Sequence, residues 1–117
     1  MSDLRYFKPS EFIMHSQNVY DKMSMWFLKK LDSLRQEFGL LMVLNSSYRS
    51  PTYNRVVKGK PNSMHLKGRA VDIDATRYTG AQKAKLVKLA LDMGFSVGIS
   101  DSFIPLDDRE HQVLFGY

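Results

Sequence analysis

Cysteine is absent from these 117 residues, which excludes a disulfide framework and any thiolate metal site. A bound metal would have to take histidine, aspartate or glutamate. Histidine is itself scarce, at His15, His65 and His111 only. No apolar run approaches the roughly 20 residues of a membrane-spanning helix, and Met1-Ser2-Asp3-Leu4-Arg5 has no signal-peptide core. The expectation is a chain made in the cytoplasm that does not associate with membranes. Repeats, linkers and low-complexity segments are also missing, so residues 1–117 form one domain with a single modest core.

The charge is one-sided: 17 Lys and Arg against 12 Asp and Glu give a net charge of +5. Such a balance permits attraction to polyanions, including nucleic acid and anionic cell-wall polymers. The lysines are scattered or lie on helix faces (Lys29, Lys30, Lys83, Lys85, Lys88), which reads as a solvated surface. There is no helix-turn-helix and no basic-aromatic run, so nucleic acid is not expected as a partner.

Periodicity supplies the elements. Pro9-Ser10-Glu11-Phe12 reads as a helix start. Tyr20, Met23, Phe27, Leu31, Leu34 and Phe38 recur at steps of three and four, predicting a helix over about 18–38 that Gly39 ends. Met25 and Trp26 widen its buried face. Leu40–Leu44 is a short strand, Pro51 opens a helix through Val57, and 58–62 is a loop. Arg69–Asp74 is a central strand. A further helix opens at Thr79 or Gly80, turns Ala84, Val87, Ala90 and Leu91 inward and closes at Gly94. Phe95–Ile99, Phe103–Leu106 and Val113–Phe115 are strands, the last two as a hairpin. The fold class is α+β, a small antiparallel sheet with helices packed on one face.

Ser63-Met64-His65-Leu66-Lys67-Gly68-Arg69-Ala70-Val71-Asp72-Ile73 carries the chemistry. A histidine and an aspartate stand seven residues apart, with Gly68 as a turn between them. Imidazole and carboxylate on adjacent backbone segments suit zinc. A carboxylate between Val71 and Ile73 needs a cation or donors to stay charged.

Together with Asn45-Ser46-Ser47-Tyr48-Arg49-Ser50-Pro51-Thr52-Tyr53-Asn54 upstream, this stretch resembles the zinc D-alanyl-D-alanine carboxypeptidase family. That family shares a zinc fold with lysostaphin-type peptidases and the Hedgehog signalling domain. The likeness runs from Tyr6-Phe7-x-x-Ser10-Glu11-Phe12 to Gly94-Phe95-Ser96-Val97-Gly98-Ile99, so the expected fold is Hedgehog/DD-peptidase-like. The resemblance implies a zinc peptidase that cuts stem peptides or cross-links of peptidoglycan, and the small size suits a phage-encoded lysis or entry enzyme; a monomer is expected. It implies His65 and Asp72 as zinc ligands. Arg49 would hold the substrate carbonyl or carboxylate, where its planar fork outperforms lysine. Ser63 would hydrogen-bond substrate, and Tyr53 and Asn54 would shape the pocket.

The third ligand is where the chain departs from its relatives. They carry a Phe-Ile-His-Val-Asp-like strand where this chain reads Phe103-Ile104-Pro105-Leu106-Asp107, and proline has no donor atom. One alignment closes the zinc set with His111 and makes Asp108, three residues earlier, the general base. In the other, Asp107 is the ligand and Asp108 to His111 is an exposed turn. His111 is placed ahead of Asp107; Asp101 and Glu110 are further acids, and His15 reads as a helix-start or surface residue. Pro105 also feeds a second functional reading, a non-catalytic relative that binds metal or cell-wall peptide.

Overall fold

The computed structural model describes residues 4–14 and 17–116; the expectation for His15 lies outside them. Two short strands, β1 (Ile13–Met14) and β2 (Gln17–Asn18), pair antiparallel after a 3₁₀ turn at Pro9–Phe12. The main sheet holds β3 (Leu44–Ser46), β4 (Ala70–Asp74), β5 (Ser96–Ile99), β6 (Phe103–Asp107) and β7 (Leu114–Gly116), in the order β3-β4-β6-β5-β7. With helices α1 (Met25–Phe38), α2 (Pro51–Val56) and α3 (Gly80–Asp92), this is the expected α+β class.

Strand alternation divides the sheet into a core face and a working face. Val71 and Ile73 of β4, Val97 of β5, and Ile104 and Leu106 of β6 enter the core with α1 and α3. Ala70, Asp72, Pro105 and Asp107 point the other way and line a cleft. The pairing sets Asp72 opposite Pro105 and Ala70 opposite Asp107.

Helix α1 starts later than its periodicity predicts. Tyr20 and Met23 keep the spacing, but Asn18 Oδ1 accepts from the Tyr20 amide at 2.9 Å and a 3₁₀ turn fills Tyr20–Lys22. Ser24 then caps the helix by accepting from Phe27 N, and Gly39 closes it in the left-handed conformation at φ 78°. Phe27, Leu31, Leu34 and Phe38 are buried as predicted, and Leu28 is buried with them. Met25 and Trp26 are not part of that face: Trp26 is 80% exposed, since it lies one residue out of phase with the stripe.

Three other expectations change. Of the apolar run at 40–44 only Leu44 belongs to a strand, and Leu41 is exposed. On α3 the buried pair is Leu86 and Ala90; Ala84 is exposed, and Val87 and Leu91 are only half-buried. The last strand does not form a hairpin with β6. It runs parallel to β5, with Val97 facing Leu114 and Gly98 facing Phe115. Gln112 draws the chain across by donating to the carbonyls of Leu91 (2.7 Å) and Phe95 (2.9 Å).

Asp32 is the one charged residue on the buried side of α1. It accepts from the amides of Arg5 (3.0 Å), Tyr6 (2.8 Å) and Phe7 (3.1 Å), fixing the segment that seats Phe7 in the core. Asp32→Ala strands these donors, so urea unfolding followed by circular dichroism should show a loss of about 3 kcal/mol. A loss under about 0.5 kcal/mol would deny the carboxylate this role.

Candidate metal and substrate site

The working face of β4 is roofed by residues 47–68, and each of its side chains is held by local geometry. Leaving β3, the chain places the Ser47 carbonyl and then Arg49, whose amide donates to His65 O at 3.1 Å. Ser50 caps α2 by accepting from Tyr53 N at 3.1 Å, with Pro51 in the first turn. Ser63 caps the 3₁₀ turn Met64–Lys67, accepting from His65 N at 3.2 Å. Gly68 closes that turn at φ 67°, and any Cβ there would overlap Lys22 O. Its carbonyl accepts from Ser24 N at 2.9 Å, so the turn is docked on the start of α1.

These constraints bring His65, Asp72 and Arg49 together. His65 Nδ1 lies 2.6 Å from Ser47 O, and Nε2 lies 3.4 Å from Asp72 Oδ1. A carbonyl can only accept, so Nδ1 carries a proton, and in the neutral ring Nε2 is left bare toward the carboxylate. This backbone-fixed tautomer is the one a ligating histidine uses. Arg49 Nη2 donates to Asp72 Oδ2 at 3.4 Å and Nη1 to Asn54 Oδ1 at 3.5 Å. Its buried Nε has no hydrogen-bond partner among the described residues, and neither has Ser47 Oγ.

Asn54 is buried and links both sides of the roof. Its Nδ2 donates to Lys60 O at 2.9 Å, and its carbonyl accepts from Gly59 N at 2.8 Å. A Cβ on Gly59 would overlap Asn54 Oδ1 and come within 3.2 Å of Arg49 Nη1. Glycine is therefore needed for the loop to lie against the arginine, a role that a Lys-Gly-Lys loop does not announce in sequence.

The donor chemistry of His65 and Asp72 fits a zinc ion, but the described residues contain no group of three His, Cys, Asp or Glu side chains able to hold one. The structure does not bring His111 to the pair; it is exposed on the segment between β6 and β7. The expected closure of the site by His111 therefore has no geometric support. Asp107 shares the working face but is held by Arg109, which contacts both carboxylate oxygens, with Nε at 2.8 Å from Oδ1.

Asp108, expected as the base, is turned into an ion pair instead. Arg69 Nε donates to its Oδ1 and Arg69 Nη2 to its carbonyl, both at 2.7 Å, and its side chain is only 7% exposed. Lys30 feels the same cluster. Burial pushes its ammonium below the usual lysine range, while the charge of Asp108 pulls it back up and Arg69 pushes it down. Asp101 is exposed in the turn before β6 and is not part of the cleft wall. Asp74, at the far end of β4, accepts from the Thr76 hydroxyl (2.6 Å) and amide (2.9 Å), bonds that hold its carboxyl below the ordinary range.

The cleft encloses about 1050 Å³. Arg49, Ser63, His65 and Asp72 line it, together with Asp107 and Glu110. The family model for Peptidase M15 matches residues 5–107, a span that includes every residue of the His65–Asp72–Arg49 cluster. No curated protein matches the chain.

The tautomer is directly measurable. Long-range proton–nitrogen spectra of neutral His65 should show Nδ1 protonated and Nε2 bare. A ring protonated on Nε2 would mean that Ser47 O does not fix the imidazole.

Proposed function

The chain belongs to the Peptidase M15 family, and from that premise we propose that it is a zinc-dependent peptidase cutting peptide bonds in peptidoglycan stems or cross-links. The observation that carries this reading is the His65–Asp72 pair, with the imidazole Nδ1 proton donated to Ser47 O and Arg49 beside it in one cleft. His65 Nε2 and an Asp72 oxygen would hold the ion, which supplies Lewis acidity toward a peptide carbonyl when bound.

The chain's own residues supply the rest. Arg49, with its fork aimed by Asn54, takes a substrate carboxylate or the oxygen on which charge develops. The Ser63 hydroxyl accepts from His65 N and keeps its own proton to donate to the peptide. Glu110 lines the cleft, is exposed, and has no salt bridge among the described residues, whereas Asp108 is tied to Arg69. Glu110 is therefore the carboxylate free to take and return a proton.

A second reading, a non-catalytic relative that binds cell-wall peptide, is favoured by one feature. Pro105 sits directly opposite Asp72, where relatives place a histidine. Its ring packs so closely on Gly98 that a Cβ there would overlap Pro105 Cγ and crowd Phe115.

Zinc titration and mass spectrometry of peptides released from purified peptidoglycan separate the two readings. The wild type should bind about one zinc, and His65→Ala should bind none while keeping its circular dichroism. Glu110→Gln should keep zinc and lose about a hundredfold in turnover. Asp108→Asn and His111→Ala should change turnover far less than Glu110→Gln. If wild type releases no peptide from any peptidoglycan and only Pro105→His binds zinc tightly, the binding reading replaces the enzyme.

A second measurement concerns Arg49. Arg49→Lys keeps the charge and loses the fork, so kcat/KM on a muropeptide should fall at least about tenfold. Unchanged kcat/KM would remove the arginine from substrate recognition.

A further inference from the structure

The cleft carries more positive charge than its own acids neutralise. Arg49 is matched by Asp72, Arg109 by Asp107, and Arg69 by Asp108. Left over along the lining are Lys58, Lys60 and Lys67, all exposed and without a salt bridge among the described residues, with Glu110 as the one unpaired acid.

The backbone places this rim. Lys58 holds a left-handed conformation at φ 57°, which turns the loop back toward α2. Gly59 then lies against Asn54 and Arg49, and the Lys60 carbonyl is pinned by Asn54 Nδ2. Lys67 ends the turn that carries His65. The three ammonium groups thus belong to the same roof as the guanidinium and the imidazole, and Asn54 connects that roof internally.

We propose that the Lys58–Lys60–Lys67 rim makes the cleft selective for anionic peptides, preferring stem peptides with free carboxylates over their amidated counterparts. The inference rests on the peptide-directed reading above and adds the substrate class to it. Amidation removes a charge while barely changing shape, so a cleft that recognised shape alone would not distinguish the two. Exposed ion pairs are individually weak and screened by salt, but three acting on one ligand amount to about tenfold in affinity at low ionic strength. A nucleic-acid backbone fits less well. It needs a continuous positive track, and Asp107 and Glu110 interrupt this one.

Calorimetric titration with a synthetic stem pentapeptide and a form amidated only at its side-chain carboxylates, so that the C-terminal carboxylate open to Arg49 is the same in both, provides the test, using the whole protein in about 0.05 M and about 0.5 M salt. The wild type should bind the free form about tenfold tighter at low salt and lose that preference at high salt. Lys58→Gln/Lys60→Gln/Lys67→Gln changes only exposed side chains, and its circular dichroism should match wild type while it binds both peptides alike. Equal binding of both forms by wild type, or a preference that survives in the triple variant, would overturn the proposal. Tighter binding of a single-stranded oligonucleotide of equal charge would overturn it in favour of a phosphate ligand. Binding of neither peptide would overturn both this inference and the peptide-directed reading. Selective binding without cleavage would leave this inference standing and remove only the enzyme.

Discussion

A carboxylate in the middle of a central strand is the constraint around which this molecule is arranged. Asp72 is only 9% exposed and stands between Val71 and Ile73, both fully buried in the core. Leaving such a charge unpaired would cost several kcal/mol, so the surrounding chain has to supply donors or cations. Arg49 does so by donating to Asp72 Oδ2, and the His65 ring stands beside the other oxygen. Their positions in turn require the Ser47 carbonyl, the Gly68 turn and the contact of Gly59 with Asn54. The roof exists in this form because the strand beneath it carries a charge.

Pro105 changes what that charge can be used for. A proline inside a strand paired on both sides, as β6 is with β4 and β5, is unusual, because it has no amide to give to the ladder. It is tolerated on β6 where Gly98 leaves room for the ring and Phe115 covers it. Asp72 therefore faces a hydrocarbon surface on its β6 side, and the side chains within reach of its carboxylate, Arg49 and His65, come from the roof. Arg49 already engages this carboxylate, so any cation bound there would have to compete with the guanidinium.

The local part of this site was readable in sequence and the distant part was not. His65 and Asp72 are joined by one turn and one strand start, so their adjacency follows from Gly68 and the β-prone residues after it. Strand alternation likewise put Val71 and Ile73 on one face and Asp72 on the other. Arg69 and Asp108 lie 39 residues apart in sequence, and nothing local foretells that the arginine will claim the acid expected to be a base. The parallel seat of β7 has the same character, since side-chain bonds from Gln112 decide it. The late start of α1 is different. The apolar spacing continued through the 3₁₀ turn and concealed the break at Ser24.

The exposure of Trp26 has a spectroscopic consequence. It is the only tryptophan in the chain, and its indole already meets water in the folded protein. Denaturation moves it from one aqueous setting to another, so intrinsic fluorescence is a poor gauge of folding here. The same property makes the residue a clean sensor for its own surroundings. A blue shift in emission would report something covering the first turn of α1, independently of any change in the core.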